Sequence, residues 1–223
     1  MNPAPPIEGD WVSRRGWVKT KISRSVIPRL SVYYRALIAY KEGDVVSSRT
    51  LSGLTGYTAP QIRRDLTYFG QFGTPGRGYV VSDLKKEILK ILGIDKLWNV
   101  ILVGVGNLGT ALLSYKGFRE QGFNITAVLD SNPKKIGKKI GGVVVSGIDE
   151  LKREAQRKNA QMAIVTVPAA AAQETINTLI KAGVKSILNF APIRPRVPAS
   201  VELINIDLSI ELEKLAHFLG TKK

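Results

Sequence analysis

The sequence predicts an α/β fold of two domains, a small helical domain followed by a doubly wound parallel sheet. The chain has 223 residues, which is long for one small domain and suits two. Helical patterns occupy residues 27–92, and after them short runs of β-branched and aliphatic residues alternate with helical patterns. That alternation is typical of a parallel sheet with helices on its faces.

The composition excludes several other classes of protein. With 44% hydrophobic and 23% charged residues, the chain has the make-up of a soluble globular protein. No apolar run of about 18 residues predicts a membrane span, and the proline-rich residues 1–9 do not form a signal peptide. The lack of cysteine excludes disulfides and thiolate metal sites. We therefore expect a cytoplasmic protein with no metal and no membrane partner.

Positive charge is concentrated towards the amino terminus. The formal net charge is +15, and residues 14–64 hold eleven Lys or Arg against two acids. A basic surface of this kind attracts nucleic acid. A high growth temperature also enriches Lys and Arg, but it usually adds Glu alongside Lys, and acids are scarce here. The charge therefore favours a nucleic-acid partner.

Residues 1–20 are predicted to be a basic and mostly irregular arm. Trp11 and Trp17 lie there among basic residues. The arm either touches the DNA backbone or packs its tryptophans on the body of the protein, and the sequence leaves both open.

Residues 21–93 begin with a helix that opens at 27–28, where Pro28 is tolerated in the first turn. The helix is predicted to end at 42–44. Its expected apolar face is Leu30, Val32, Tyr33, Leu37 and Ile38.

Two further helices joined by a glycine turn predict a helix-turn-helix. The first of them is short and is capped by Ser47 or Ser48. The second runs from Thr58 to about residue 69, with Thr58 and Gln61 at capping-box spacing. The positions expected to face the core are Leu51, Leu54, Ile62, Leu66 and Phe69.

Residues 73–81 form a glycine-rich turn that leads into a short strand, the pattern of a wing with Arg77 near its tip. A helix over 83–92 follows and ends at Gly93. We therefore predict a winged-helix DNA-binding domain over residues 21–93. Its candidate contacts to base edges or phosphates are Arg49, Thr58, Gln61, Arg63, Arg64, Tyr68 and Arg77.

The second domain, residues 94–206, opens with a strand that stops at a glycine-rich turn. Gly104, Gly106 and Gly109 have G-x-G-x-x-G spacing, and a helix begins there. Gly104 allows a sharp turn, Gly106 lets a pyrophosphate approach the backbone, and Gly109 lets the helix pack on the strand. The unpaired N–H groups of the helix start would bind the phosphates. These features predict a Rossmann-type dinucleotide-binding domain.

An acid at the end of the next strand predicts which dinucleotide is bound. The strand 125–129 leads into Asp130, which lies 21 positions after Gly109. A carboxylate there accepts hydrogen bonds from the ribose hydroxyls and repels a 2′-phosphate, which favours NAD(H) over NADP(H). Lys134 and Lys135 are either a phosphate clamp or part of a solvated turn.

The rest of this domain continues the alternation. Strands are predicted at 143–145, 163–167, 187–189 and 201–206, and helices at 149–159 and 169–182. The loops at Pro168 and 189–192 follow the carboxyl ends of strands, where ligands of such sheets bind, and we expect the nicotinamide near them. The predicted cofactor residues are Gly104, Val105, Gly106, Asn107, Leu108, Gly109, Asp130, Lys135, Val167, Pro168, Asn189 and Phe190.

Residues 207–223 form the last segment, with a helix predicted over 208–219. Its apolar stripe consists of Leu208, Leu212, Leu215, Ala216 and Leu219. The stripe is expected to pack against its own chain or against a partner, and a dimer contact is favoured.

Residues for catalysis are missing from the sequence. A dehydrogenase needs a general acid or base near the nicotinamide. The only histidine, His217, lies in the last helix, where packing or surface exposure is the commoner role. Lys185 and Tyr115 could serve an enzyme, but nothing in the sequence pairs them. We predict no catalytic residue and favour a module that binds NAD(H).

Two other interpretations stay open. The chain could be an NAD-dependent oxidoreductase with an accessory basic domain. It could also carry a CoA-binding sheet of the succinyl-CoA synthetase type, in which the helix-turn-helix docks a protein.

Several segments together resemble the Rex family of bacterial redox-sensing transcriptional repressors. The resemblance covers about residues 21–219 and depends on 29–35, 61–70, 76–79, 104–109, 189–192 and 206–208. The runs Ile-Arg-Arg-Asp at 62–65 and Asn-Phe-Ala-Pro at 189–192 are the most specific. Pro60 and Gln61 depart from the family's usual residues, and the extension before Lys21 is longer than usual.

The resemblance implies a homodimer that binds inverted-repeat operators on double-stranded DNA when NADH is low. NADH would close the dimer and release the DNA, whereas NAD+ would compete without releasing it. The carboxy-terminal helix would be exchanged between subunits. A polar switch at the domain interface would map onto Arg35, Tyr115 and Asp207.

A physical hypothesis explains how the two redox states would be told apart. Oxidised nicotinamide carries a positive charge and reduced nicotinamide is neutral. A buried pocket of Pro168, Ala169, Phe190 and Pro192 would therefore penalise the oxidised ring. Near-complete switching needs about 5.5 kcal/mol of differential affinity, which two NADH molecules per dimer could supply together.

Overall fold

The computed structural model describes residues 25–70, 72–73 and 76–220, so the predicted basic arm over 1–20 lies outside the described residues. The chain divides into two compact units, one extending to Lys96 and the other beginning at Leu97. Each unit has its own apolar core.

The described residues of the first unit form four helices and a two-stranded antiparallel sheet. These elements are α1 (Val26–Leu37), β1 (Val45–Val46), α2 (Ser48–Thr55), α3 (Ala59–Thr67), β2 (Tyr79–Val80) and α4 (Val81–Leu92). Strand β2 follows the glycine-rich turn, as predicted. Its partner β1 was not predicted, because two residues are too few to show an alternating pattern.

Three details of the first unit correct the sequence prediction. Helix α1 ends at Leu37, so Ile38 lies outside it and is exposed, as is Val32. Leu54 is 53% exposed rather than buried. It lies about 60° around α2 from Leu51, on the side of this short helix that remains open to solvent. Val81 begins α4 instead of ending the strand of the wing.

The second unit is built on a seven-stranded sheet with the order β5-β6-β4-β3-β7-β8-β9. The strands are β3 (Trp98–Val103), β4 (Phe123–Asp130), β5 (Lys139–Ile140), β6 (Val143–Gly147), β7 (Met162–Val165), β8 (Ser186–Asn189) and β9 (Glu202–Asn205). The helices are α5 (Asn107–Ser114), α6 (Gly117–Glu120), α7 (Leu151–Arg157), α8 (Ala169–Lys181) and α9 (Leu208–Gly220). All neighbouring strands are parallel except β5 and β6.

The sheet has an apolar core on each face. Residues of α7 and α8 pack with Ile101, Leu129 and Val165 on one face. Residues of α5 pack with Leu102 and Val128 on the other. The near-continuous burial of β3 and of the second half of β4 follows from this covering of both faces.

Some connections differ from a regular alternation of strands and helices. Strand β5 is an antiparallel addition at the edge of the sheet, and α6 was not predicted because it has only four residues. The helix predicted over 149–159 begins as a 3₁₀ turn, Ile148–Glu150, before α7. Strands β8 and β9 are parallel but are joined by irregular chain over 190–201 instead of a helix.

Within the described ranges, no helix combines the length and hydropathy needed to span a membrane. No group of three or more potential metal ligands occurs in those ranges either.

Candidate DNA-binding and cofactor sites

Side-chain caps fix the two helices of the helix-turn-helix. Ser47, rather than Ser48, caps α2, because its Oγ accepts a hydrogen bond from the Thr50 N–H at 3.0 Å. Thr58 caps α3 as predicted, with 3.4 Å between its Oγ1 and the Gln61 nitrogen. Between the helices Gly56 has φ +73°, the left-handed region that glycine adopts without strain.

Most of the predicted DNA contacts are available on the surface of the first unit. The exposed residues are Arg49, Thr58, Arg63, Arg64, Tyr68 and Arg77, and Gln61 is half-buried. The Arg63 Nη1 donates to the Ser48 hydroxyl at 2.8 Å, which ties α3 to the first residue of α2. The roles of these residues in DNA binding stay predictions.

The wing holds Arg77 between two glycines with positive φ. Gly76 and Gly78 have φ of +79° and +93°. A Cβ on Gly78 would lie 2.6 Å from the Val46 carbonyl oxygen, so the turn can approach β1 only because this residue is glycine. The wing is thereby held against β1 with Arg77 exposed.

A buried carboxylate joins α3 to α1. Asp65 is 2% exposed, and Arg29 donates to its two oxygens from Nε at 2.6 Å and Nη2 at 2.7 Å. The Tyr33 hydroxyl donates to the same carboxylate at 2.8 Å. We call these three side chains the Asp65 network.

The electrostatics of the Asp65 network follow from this geometry. Burial alone would raise the pKa of Asp65, but the hydrogen bonds from Arg29 and Tyr33 outweigh it, and the pKa lies below its usual value. Burial and the hydrogen bond to Asp65 raise the pKa of Tyr33 well above its usual value. Asp65 is therefore ionised and Tyr33 neutral at neutral pH.

The sequence predicts Tyr33 only as part of the apolar face of the first helix and does not indicate the pairing of Arg29 with Asp65. The available signal was a charged residue, Arg29, four positions before Tyr33 on the face of α1 that carries Leu30 and Leu37. Its partner Asp65 is 36 positions away, and a single sequence carries no information about such a pairing.

The glycine turn has the geometry that its three glycines predict. Gly104 has φ +96°, and a Cβ there would lie 2.7 Å from the Thr166 carbonyl oxygen. A Cβ on Gly109 would overlap the Gly104 carbonyl oxygen, whereas a Cβ on Gly106 would meet nothing within 4 Å. Gly104 and Gly109 thus serve close packing, and Gly106 leaves open space at the start of α5 where a pyrophosphate could lie.

Asp130 lies at the end of β4, but its carboxylate is used within the chain. It accepts hydrogen bonds from the Val105 N–H at 2.7 Å and the Asn132 N–H at 2.8 Å. Burial opposes its ionisation, but these bonds and Lys135 outweigh it, so the pKa of Asp130 lies below its usual value. The carboxylate holds the glycine turn, and its predicted contact to ribose stays a prediction.

Lys135 takes part in the same arrangement. Its Nζ donates to the Val105 carbonyl oxygen at 2.8 Å and lies 3.3 Å from Asp130. The ammonium group is therefore engaged with the turn, while Lys134 is exposed. Lys134 therefore fits the interpretation of a solvated turn, whereas Lys135 is bound to the glycine turn.

Asn189 has a structural role that the sequence did not indicate. Its side chain is fully buried, and its amide nitrogen donates to the Ala191 carbonyl at 3.0 Å and to Asn205 Oδ1 at 2.8 Å. Its Oδ1 accepts from the Ala191 N–H at 3.0 Å. These bonds fix the path of the loop that carries Phe190, and the predicted contact of Asn189 to a cofactor stays a prediction.

Residues predicted around the nicotinamide follow the carboxyl ends of neighbouring strands. Val167 and Phe190 are half-buried, and Pro168 is exposed. Strands β7 and β8 are adjacent and parallel, so the loops after them lie at the same edge of the sheet. This edge also carries the glycine turn, because β3 pairs with β7 in parallel.

The predicted switch residues are all exposed. Tyr115 is 58% exposed and packs edge-to-face on Phe118, with ring centroids 5.1 Å apart. A Cβ on Gly117 would lie 2.6 Å from the Tyr115 Cζ, so this glycine accommodates the ring. Asp207 accepts a hydrogen bond from the Ser209 N–H at 2.9 Å, and Arg35 lies on α1 in the first unit.

The carboxy-terminal helix α9 is exposed along its whole length. Its large apolar side chains on the surface are Leu208, Ile210, Leu212, Leu215, Phe218 and Leu219. The predicted helix is confirmed, and its stripe does not pack against its own unit.

Comparisons with known proteins agree with both units. Residues 21–67 match the family described as "Putative DNA-binding protein N-terminus", and residues 95–193 match the CoA binding domain family. A redox-sensing transcriptional repressor Rex of Desulfitobacterium hafniense is 48% identical over 205 residues, covering 91% of this chain and 98% of that protein. The Rex of Clostridioides difficile is 44% identical over 204 residues, covering 91% and 97%.

Solved structures of RSP, a Rex-family repressor, are similar over a comparable share of the chain. RSP in complex with β-NAD+ and operator DNA has a TM-score of 0.85 and 41% identity, covering 90% of this chain and 94% of that chain. RSP in complex with β-NADH has a TM-score of 0.79 and 40% identity, covering 90% and 95%.

Proposed function

The chain belongs to the Rex family of redox-sensing transcriptional repressors, and on that basis we propose that it represses transcription by binding operator DNA and releases the DNA when it binds NADH. The observation that carries the proposal is the 41% identity, over 90% of this chain, to a repressor solved with both NAD+ and operator DNA. A basic winged helix and a glycine turn in separate units supply the two binding functions.

The DNA-binding site that we propose is the surface of α3 and the wing. Its contacts would come from Arg49, Thr58, Gln61, Arg63, Arg64, Tyr68 and Arg77. An inverted-repeat operator requires two such surfaces, since a palindromic site mirrors a two-fold symmetric protein. Operator binding also requires access to the chromosome and hence a cytoplasmic location.

The cofactor site that we propose is the edge of the sheet at the glycine turn. The open space at Gly106 and the N–H groups that begin α5 fit a pyrophosphate. Residues 104–109, Asp130 and Lys135 would surround the adenosine side, and Val167, Pro168 and Phe190 would face the nicotinamide. When bound, the nicotinamide supplies the redox signal, because it is charged only when oxidised. Apolar side chains at this place would favour the neutral, reduced ring.

We propose that the active form is a homodimer. The support is the apolar stripe of α9, whose side chains are exposed in a single chain and would be covered by a second copy. Arg35, Tyr115 and Asp207 would form the polar switch that couples the cofactor to the arrangement of the two DNA-binding surfaces.

Sensing without turnover fits the family, whose members are named repressors, and the sole histidine lies on exposed α9.

The experiment that tests the function is a titration of the protein–DNA complex. A duplex selected from a random library by this chain is labelled, and its release is followed by fluorescence anisotropy. NADH is expected to weaken DNA binding by at least about tenfold, which corresponds to about 1.4 kcal/mol, whereas NAD+ leaves it bound. NADPH tests the selection against a 2′-phosphate.

Three outcomes would contradict the proposal. Equal DNA affinity with and without NADH would exclude NADH sensing. Steady oxidation of NADH by a small carbonyl compound would indicate an enzyme. Binding of CoA to the protein, or release of the DNA by CoA, together with no response to NADH would favour a CoA-binding module. The family that matches the sheet suggests that function.

A further inference from the structure

We propose that Asp65 is a positioning residue for DNA recognition: through Arg29 and Tyr33 it fixes the rotation of α3 about its axis, without contacting DNA itself. The inference rests on the proposed DNA-binding function of α3. It adds a buried residue that no inspection of exposed side chains would select.

The position of Asp65 on α3 couples its burial to the direction of the two preceding arginines. Arg63 and Arg64 are exposed, and Asp65 is almost completely buried. Successive residues of a helix are about 100° apart, so the direction of the buried carboxylate determines the directions in which the Arg63 and Arg64 side chains leave the helix. A 20° rotation would move a side-chain tip, at a radius of about 5–6 Å, by about 2 Å. Recognition tolerates about 0.5 Å.

The partners of Asp65 fix its direction as well as its charge. The Arg29 fork reaches one oxygen from Nε and the other from Nη2, at 2.6 and 2.7 Å. Tyr33, one turn further along α1, reaches Oδ2 at 2.8 Å. A bidentate pair adds geometric specificity that a point charge lacks. The carboxylate, and α3 with it, is therefore held in one orientation against α1.

Two further contacts hold α3 at other points. The Tyr33 ring packs edge-to-face on Tyr57, with centroids 5.7 Å apart, directly before the Thr58 cap. On another side of α3, Arg63 donates to the Ser48 hydroxyl of α2. Helix α3 is thus fixed at its start by Tyr33, in its middle by Asp65, and against α2 by Arg63.

Stability alone is a weak reason for such a network. Replacing a buried ion pair by apolar side chains of similar volume is often neutral or stabilising. The core around it is otherwise apolar, with Leu30, Ile62 and Leu66 fully or almost fully buried. A polar network at this point specifies one geometry of α3, and that geometry orients the two arginines predicted to bind DNA.

The test compares operator DNA with a shuffled duplex of the same length and composition, using the full chain. Asp65→Asn is matched by Glu87→Gln, the same chemical change in the exposed Glu87–Lys90 pair of α4. Arg29→Lys keeps a cation beside the carboxylate but removes the fork, and it serves as the milder variant if Asp65→Asn fails to fold. Arg64→Ala removes a proposed direct contact.

The expected result separates positioning from direct contact and from simple loss of folding. Asp65→Asn and Arg29→Lys should weaken operator binding by about tenfold, the factor that 1.4 kcal/mol represents. Their binding to the shuffled duplex should stay within about twofold and keep its salt dependence, because the phosphate-binding charges remain. Arg64→Ala should weaken the binding of both duplexes. It should also lower the slope of log affinity against log salt concentration by about one. Glu87→Gln should change neither.

Two outcomes would overturn the inference. One is an unchanged preference for the operator in a folded Arg29→Lys variant. The other is an equal loss of affinity for both duplexes that is proportional to the unfolded fraction of each variant. A wild-type chain with no preference for the selected duplex would instead contradict the proposed function and is distinguished by that control.

Discussion

Asp65 in the first unit and Asp130 in the second are both buried carboxylates, but different kinds of partner hold them. Asp65 is 2% exposed and is bound by two side chains from another helix, 32 and 36 positions away. Asp130 is 8% exposed and is bound mainly by the backbone N–H groups of Val105 and Asn132. Side-chain partners fix one helix on another, whereas backbone partners fix the path of a loop.

The difference has consequences for substitution. An asparagine in place of Asp130 still offers one oxygen to a backbone N–H. An asparagine in place of Asp65 cannot satisfy the Arg29 fork and leaves a partly buried cation without its counter-charge. Loss of the Asp65 carboxylate is therefore expected to lower the free energy of unfolding more than loss of the Asp130 carboxylate.

The largest expected effect is that of removing the Asp65 carboxylate. Asp65→Ala should lower the free energy of unfolding by about 3–5 kcal/mol, because breaking a buried pair leaves an uncompensated charge. Denaturant unfolding followed by circular dichroism measures it. The double variant Arg29→Met, Asp65→Leu should recover most of the loss. A loss below about 1 kcal/mol in the single variant would show that the pair behaves as an exposed one.

The next effect concerns the glycine turn that Asp130 holds. Gly109→Ala should cost about 1–3 kcal/mol, since its Cβ would overlap the backbone oxygen of Gly104. Gly106→Ala, whose Cβ meets nothing within 4 Å, should leave stability unchanged and weaken NADH binding measured by calorimetry. Equal losses of stability in the two variants would contradict the different roles given to these glycines.

A smaller effect is expected for Asp130→Asn. The bonds to the Val105 and Asn132 N–H groups become weaker because the acceptor loses its charge, which should cost about 1–2 kcal/mol. Thermal unfolding of Asp130→Asn and Asp65→Asn side by side measures the difference. A larger loss for Asp130→Asn would reverse the comparison between backbone and side-chain partners.

The last prediction concerns the loss of stability in acid, which has no effect at neutral pH. The pKa values of Asp65 and Asp130 lie below their usual values, so the unfolded chain binds more protons than the folded chain in mild acid. The stabilisation by these carboxylates is fully present above about pH 4, the usual pKa of Asp, and is lost as pH falls through their folded values. Unfolding measured from pH 6 to pH 2 should show this decline, and Asp65→Asn should flatten it.

Local signals were enough to predict the turn, the helix cap and the strand around which the two candidate sites are built. The strand, three glycines and helix start at residues 100–112 predicted the glycine turn, because their spacing is a pattern of adjacent residues. The Thr58 cap was predicted for the same reason. The placement of β2 after the glycine-rich turn also depended on local pattern alone.

Other features could not be predicted because their causes are distant in the chain. Leu54 has the hydropathy of a core residue, yet its exposure depends on which side of α2 the neighbouring helices cover. The amide of Asn189 is buried because Asn205 on β9 and the loop after β8 surround it. Neither surrounding is visible in the local sequence.

The sequence by itself determined the order of the elements, the basic character of the first unit and the glycine turn of the second, since these depend on composition and short spacing. Only the tertiary structure decided what the acids do. Asp65 follows two arginines and Asp130 follows an apolar strand, but neither local pattern indicates which groups bind the carboxylate. Asp65 joins two helices and Asp130 stabilises a loop, because the packing of the chain determines which groups lie beside each buried charge.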